Sequence, residues 1–102
     1  MTTFQFVGID YTGLPKGLRG GTQRWIEAGI QPGSFLSAVI ANNLKKALGH
    51  ADASNQVAIF QIVSWFYNEA PGPCWGSVAA ARKWASQYEC AFEPEWREEG
   101  AP

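Results

Sequence analysis

Along most of this chain the apolar residues recur every three to four positions, the period of an amphipathic helix. Four segments show it. In the first, Leu18, Thr22, Trp25 and Ile26 share a face, and Pro15 suits the first helical position. Gly17, Gly20 and Gly21 each cost a helix about 1 kcal/mol relative to alanine. They confine the firm part of this helix to 22–28 and leave a loose turn before it, with Gly29 as the C-terminal cap. The second segment opens at Pro32-Gly33-Ser34 with Ser34 as N-cap, carries the stripe Leu36, Val39, Ile40, Asn43, Leu44, Ala47 and Leu48, and stops at Gly49. Asn43 is out of place in that stripe. A polar amide there must find a hydrogen-bond partner or face a cleft.

The third segment runs from an N-cap at Asp52 to about Asn68, and Pro71 stops it. Its apolar residues (Val57, Ile59, Phe60, Ile62, Val63, Trp65, Phe66, Tyr67) point nearly all round, the mark of a helix enclosed by the others or covered by another subunit. Ser77 caps the fourth, Val78 to about Glu89, whose inner face is Val78, Ala81, Trp84, Ala85 and Tyr88. Before the first helix, 1–14 reads as an irregular or extended arm with Phe4, Phe6 and Ile9 on apolar surface. A short strand, or an arm crossing a neighbouring subunit, fits equally well. After the last helix, 90–102 is an acidic tail held through Phe92 and Trp96. The expected fold is all-α: one domain over 1–102, a compact bundle of about four helices with the third at its centre, and a homo-oligomer to cover what so small a chain cannot.

Composition narrows this further. With eight basic and nine acidic side chains the net charge is −1, which gives no footprint for duplex nucleic acid. The first ten residues lack a basic start followed by a long apolar run, and no stretch approaches a membrane span. Two cysteines, Cys74 and Cys90, are fewer than a small secreted domain uses. The setting expected is the cytoplasm, and a Cys74–Cys90 disulfide is the lesser of two alternatives.

Catalysis and metal binding find little support. The single histidine, His50, ends the second helix, where it favours the helix dipole. A spatial Cys74–His50 pair stands against Cys74 as a small hydrophobe under a turn, and the second is preferred. No catalytic residue, metal ligand or cofactor is therefore assigned.

Two helix starts share one device: Gly33-Ser34 and Gly76-Ser77 each follow a proline-bearing turn. Free amides and a hydroxyl at a helix N-terminus attract anions, and Arg24 and Arg82, with Arg19 and Lys83, supply charged donors. The alternative is that each serine only caps its own helix. Trp75 sits beside the second start in the Pro/Gly-broken run 70–77. A ring there suits a stacked base, or it is a plug closing the end of the bundle. The candidate ligand-binding set is Gly33, Ser34, Trp75, Gly76, Ser77, Arg24, Arg82 and Asn43.

Together, Arg24-Trp25-Ile26-Glu27-Ala28-Gly29-Ile30-Gln31-Pro32-Gly33-Ser34-Phe35-Leu36, Asn42-Asn43-Leu44, Ala51-Asp52, Asn55, Tyr67-Asn68-Glu69-Ala70-Pro71 and Cys74-Trp75-Gly76-Ser77 resemble a group of small proteins encoded by bacteriophages and prophages. The likeness spans about Leu14 to Trp84, and departs from the pattern at Trp25, where tyrosine is expected, and at Asn43, where aspartate is. It implies an accessory protein acting on the host, stoichiometrically rather than by catalysis. The expected function is then a non-enzymatic binder of a small anion, foremost a signalling or cyclic nucleotide, that counters host defence by sequestration in the host cytoplasm. The alternatives are an inhibitor that masks a host defence enzyme by direct contact, and a virion component.

Overall fold

The computed structural model describes residues 8–94 and 96, and its regular elements are all helical. Among these lie six α-helices and no strand: α1 (Lys16–Ala28), α2 (Ser34–Ile40), α3 (Leu44–His50), α4 (Ala53–Val57), α5 (Ile59–Glu69) and α6 (Val78–Ser86). Two 3₁₀ turns, Tyr11–Gly13 and Gly72–Cys74, complete them. No helix of the described residues is long and apolar enough to cross a membrane.

The sequence predicts four helices because two of its long periodic segments are each divided. The first joint is Asn42-Asn43. Asn42 takes the left-handed conformation, φ 60°. Its N–H donates to the Val39 carbonyl at 3.0 Å, and the Asn43 N–H to that of Ala38 at 2.8 Å, which is the Schellman closure of α2. The Asn43 side chain then accepts from the Lys46 N–H at 3.1 Å and caps α3. Asn43 therefore finds the hydrogen-bond partner its amide needs, as the hinge between two helices rather than as a residue of one stripe. The second joint, Ala58, is milder: i to i−4 bonding persists on either side of it, from Ala58 to Ser54 and from Ile62 to Ala58.

The centre of the fold is α2, not the expected third helix. Phe35 through Ile40 are all buried, against three buried residues on α5. Sequence patterning misses this because Ser37 looks like a surface position. Its hydroxyl donates to the Pro32 carbonyl at 3.0 Å, so it is buried at no cost, and it is small enough to let neighbours approach. On α5, Ile62, Trp65 and Phe66 face inward, while Phe60 and Tyr67 are 82% and 80% exposed, as is Val57 of α4 at 87%.

The helix α1 runs unbroken through its glycines, where a loose turn was expected. Burial of Thr22, Trp25 and Ile26 on one face outweighs their propensity cost. Arg19 also ties its beginning, donating from Nε to the Leu14 carbonyl at 2.9 Å. At its other end, the Trp25 carbonyl accepts the Gly29 N–H at 3.0 Å, and the carbonyls after it have no continuing turn to accept from. Donors around α6 reach three of the last four carbonyls: Trp84 Nε1 to Trp25 O at 3.2 Å, Tyr88 Oη to Ile26 O at 3.1 Å, and Cys90 Sγ to Ala28 O at 3.7 Å.

Both ends of the described stretch are docked. Within 8–14, Tyr11–Gly13 form a 3₁₀ turn, with Leu14 buried, Trp65 Nε1 donating to Asp10 O at 2.9 Å and Gln61 Nε2 to Gly13 O at 2.6 Å. Phe4 and Phe6 lie outside the described residues. In the tail, Phe92 is buried and the Gln31 amide clasps the Glu93 backbone at two points, donating at 2.9 Å and accepting at 2.8 Å. The acidic residues beyond Trp96 lie outside the described residues. Cys74 and Cys90 are both free thiols.

Two left-handed residues give a matched pair of expectations. Gly29, φ 68°, ends α1, and a Cβ there would stand 2.7 Å from Tyr88 Cδ2. Glu89, φ 61°, closes α6 in the same conformation without glycine's freedom, and its side chain is exposed. In urea unfolding, Gly29→Ala should cost about 2 kcal/mol or more, whereas Glu89→Gly should raise stability by about 0.5–1 kcal/mol.

Candidate functional site

The broken run between α5 and α6 holds three helices together. Its 3₁₀ turn presents the Cys74 carbonyl to Trp25 Nε1 at 3.0 Å, in the buried core. Trp75 is half-buried and lies against the Phe66 ring, centroids 5.4 Å apart. Gly76, at φ 120°, a value that side-chain-bearing residues rarely adopt, donates its N–H to the Ile40 carbonyl at 2.8 Å and so completes the end of α2. Ser77 accepts from the Ala80 N–H at 3.0 Å, the ordinary N-cap bond.

The two Gly-Ser starts, alike in sequence, differ in structure. In the second, Ser77 is the N-cap. In the first, Gly33 takes that place: its carbonyl accepts the first helical bond, from the Ser37 N–H at 2.9 Å, and Ser34 is already the first residue of the helix. The expectation of Ser34 as N-cap is corrected by one residue. Glycine is tolerated at the N-cap because the position needs an extended backbone and only gains from a side chain.

Nor do the two starts open on one cleft. A groove of about 340 Å³ between α1 and α2 is lined by Gly17, Leu18, Gly21, Arg24, Pro32, Gly33, Ser34, Phe35, Leu36 and Asn55. A second, apolar groove of about 180 Å³ lies between α3 and α5, with Asn43 and Trp75 in its wall beside Leu44, Ile59 and Val63. Gly76, Ser77 and Arg82 line neither of these grooves. Of the eight candidate residues, Arg24, Gly33 and Ser34 are thus brought together. Trp75 and Asn43 stand elsewhere, and Arg82 pairs at 3.5 Å with Glu93.

In the α1–α2 groove, Arg24 is the one charged side chain among the lining residues, and it is exposed. Among the described residues no carboxylate lies within ion-pair distance of it. Its guanidinium folds back along α1, where a Cβ at Gly20 would stand 3.2 Å from Nη1. A Cβ at Gly17 would meet nothing within 4 Å. Packing therefore does not require that glycine, which leaves helix backbone bare at the groove's edge. Gly17 and Gly21 are not among the candidates the sequence offers. The available signal was the clustering of glycines in a helix that pays for each of them.

Cys74 offers no nucleophile. Its thiol is fully buried, and burial pushes it up to about 12. Among the described residues no group of three His, Cys, Asp or Glu side chains is placed to hold a metal ion. Compared with known families, characterised proteins and solved structures, the chain matches none.

The buried thiol sets a pH expectation. Desolvation raises Cys74 from an ordinary 9.0 and raises Tyr11 and Tyr88 from 10.0, so the fold favours the neutral form of all three. Their contribution is fully present below about pH 9 and is lost as pH climbs from there through the folded-state value of Cys74, about 12. Urea midpoints should be level from pH 7 to about 8.5 and fall beyond about 9, less steeply in Cys74→Ala. Iodoacetamide at pH 8 should label half-buried Cys90 in the native protein and Cys74 only on unfolding.

Proposed function

We propose that this protein is a non-enzymatic binder that takes a small anionic ligand in the α1–α2 groove. The observation that carries the proposal is the exposed Arg24, without a carboxylate partner among the described residues, in a 340 Å³ groove with the polar side chains of Ser34 and Asn55. The size is at the lower end of the range for small-molecule sites. A guanidinium offers a planar fork of donors that suits phosphate or carboxylate oxygens. The bare α1 backbone beside it admits a close approach.

Trp75 stands in the other groove, so recognition here rests on the ligand's charge and not on a base stacked against that ring. Within this class, the resemblance to small phage proteins favours a phosphate-bearing signal of the host, sequestered in the host cytoplasm. Masking of a host protein is the second reading. It is favoured by a separate observation, the exposed Phe60 and Tyr67.

Calorimetry on the full chain at low salt, with pyrophosphate, mononucleotides and cyclic dinucleotides as probes, tests the first reading. At least one should bind below the millimolar range. Arg24→Ala should weaken it about tenfold or more, the loss expected for a charge-assisted hydrogen bond, and Trp75→Ala should leave it within about threefold. If no probe binds, or if Arg24→Ala binds as the parent does, the proposal is wrong.

A further inference from the structure

We infer that the exposed face of α4–α5 is a self-association surface on which a second copy of this chain packs antiparallel. Val57, Phe60, Ser64 and Tyr67 are spaced 3–4–3. At about 100° per residue they fall within about 80° of one another around the helix, on the side away from buried Ile62 and Trp65. Three of the four are large apolar side chains more than three-quarters exposed. Ser64 is small and half-buried.

Three properties point to a second copy as the occupant. The spacing is palindromic, so an antiparallel copy in register places Phe60 over the partner's Ser64 and Tyr67 over the partner's Val57. Each bulky ring then meets a smaller residue, a knob over a hole, and every contact occurs twice, as a two-fold interface requires. The face is also uncharged. Its flanks are Gln56, Gln61 and Asn68. A neutral face meets its own copy without like-charge repulsion and offers nothing to attract a charged partner. Area is the third. Val57, Phe60 and Tyr67 together present on the order of 400–500 Å². With the flanking amides this comes within reach of the roughly 800 Å² that each partner buries in a stable interface.

The surface is separate from the α1–α2 groove, so the two proposals stand or fall independently. The test is sedimentation equilibrium of the full chain from about 1 to 200 μM, the range that brackets a modest interface. The parent should shift with concentration from 11.2 kDa to twice that mass. Phe60→Asp should abolish the shift while leaving the circular dichroism spectrum and anion binding unchanged, because its side chain is 82% exposed.

The register has its own test. Ser64→Phe alone adds apolar surface yet should weaken the dimer at least tenfold, because two rings then collide at positions 60 and 64. The double variant Phe60→Ser/Ser64→Phe should restore it, the knob and the hole having changed places. A parent that stays monomeric throughout overturns the inference. So does a dimer indifferent to Phe60→Asp, or one that Ser64→Phe strengthens. An assembly beyond two copies overturns it as well.

Discussion

A buried indole has one N–H and must find it an acceptor. For Trp25, fully enclosed by the core, the acceptor is the Cys74 carbonyl, forty-nine residues along the chain. Much of the architecture follows from that single bond. To offer the carbonyl inward, 72–74 must turn as a 3₁₀ element. The chain leaving that turn places Gly76 where its N–H reaches the end of α2, and Trp75 where its ring reaches Phe66. The Trp25 carbonyl, meanwhile, receives the Trp84 indole, and the Trp25 ring meets that of Phe92 at 5.5 Å. One residue of α1 thus engages the broken run, α6 and the segment that follows it, the first and last through its ring and α6 through its carbonyl.

Seen this way, the Pro/Gly-rich run between the last two helices is first a structural fastening. Its residue types suit the task. Proline sets the 3₁₀ turn, glycine supplies a backbone conformation others resist, and serine starts the next helix. Trp75 lies against Phe66 and forms part of the wall of the α3–α5 groove. The features left for a ligand are those the fastening does not use: Arg24 and the bare glycine edge of α1.

What the sequence makes legible is what is decided locally. The caps at Asp52 and Ser77 and the left-handed Gly29 follow from the chemistry of a few adjacent residues, and each stands where the pattern predicts. Decisions taken between signals are lost. Asn43 satisfies both the stripe and the cap, and only the conformation of Asn42 tells which prevails. Burial is lost in a similar way. Ser37 reads as surface but is central, while Phe60 reads as core but faces outward, because hydrophobicity states a preference and the neighbours decide whether it is met. The site was legible in part for the same reason. Two identical dipeptides, Gly33-Ser34 and Gly76-Ser77, suggest one cleft, but distance between helices is not written in either of them.

The clasp at the end of α1 bears on how the chain comes to be made. A helix rich in glycine is a poor helix on its own, and the partners that complete this one, Cys74, Trp84, Tyr88 and Phe92, all belong to the final third of the chain. During synthesis α1 is made before any of them. Until they follow, it has only α2 and the turn before it to pack against, and its last turn stays incomplete. Trp25 waits on a carbonyl made forty-nine residues later, so the early helices reach their final packing only after the later ones have been synthesised.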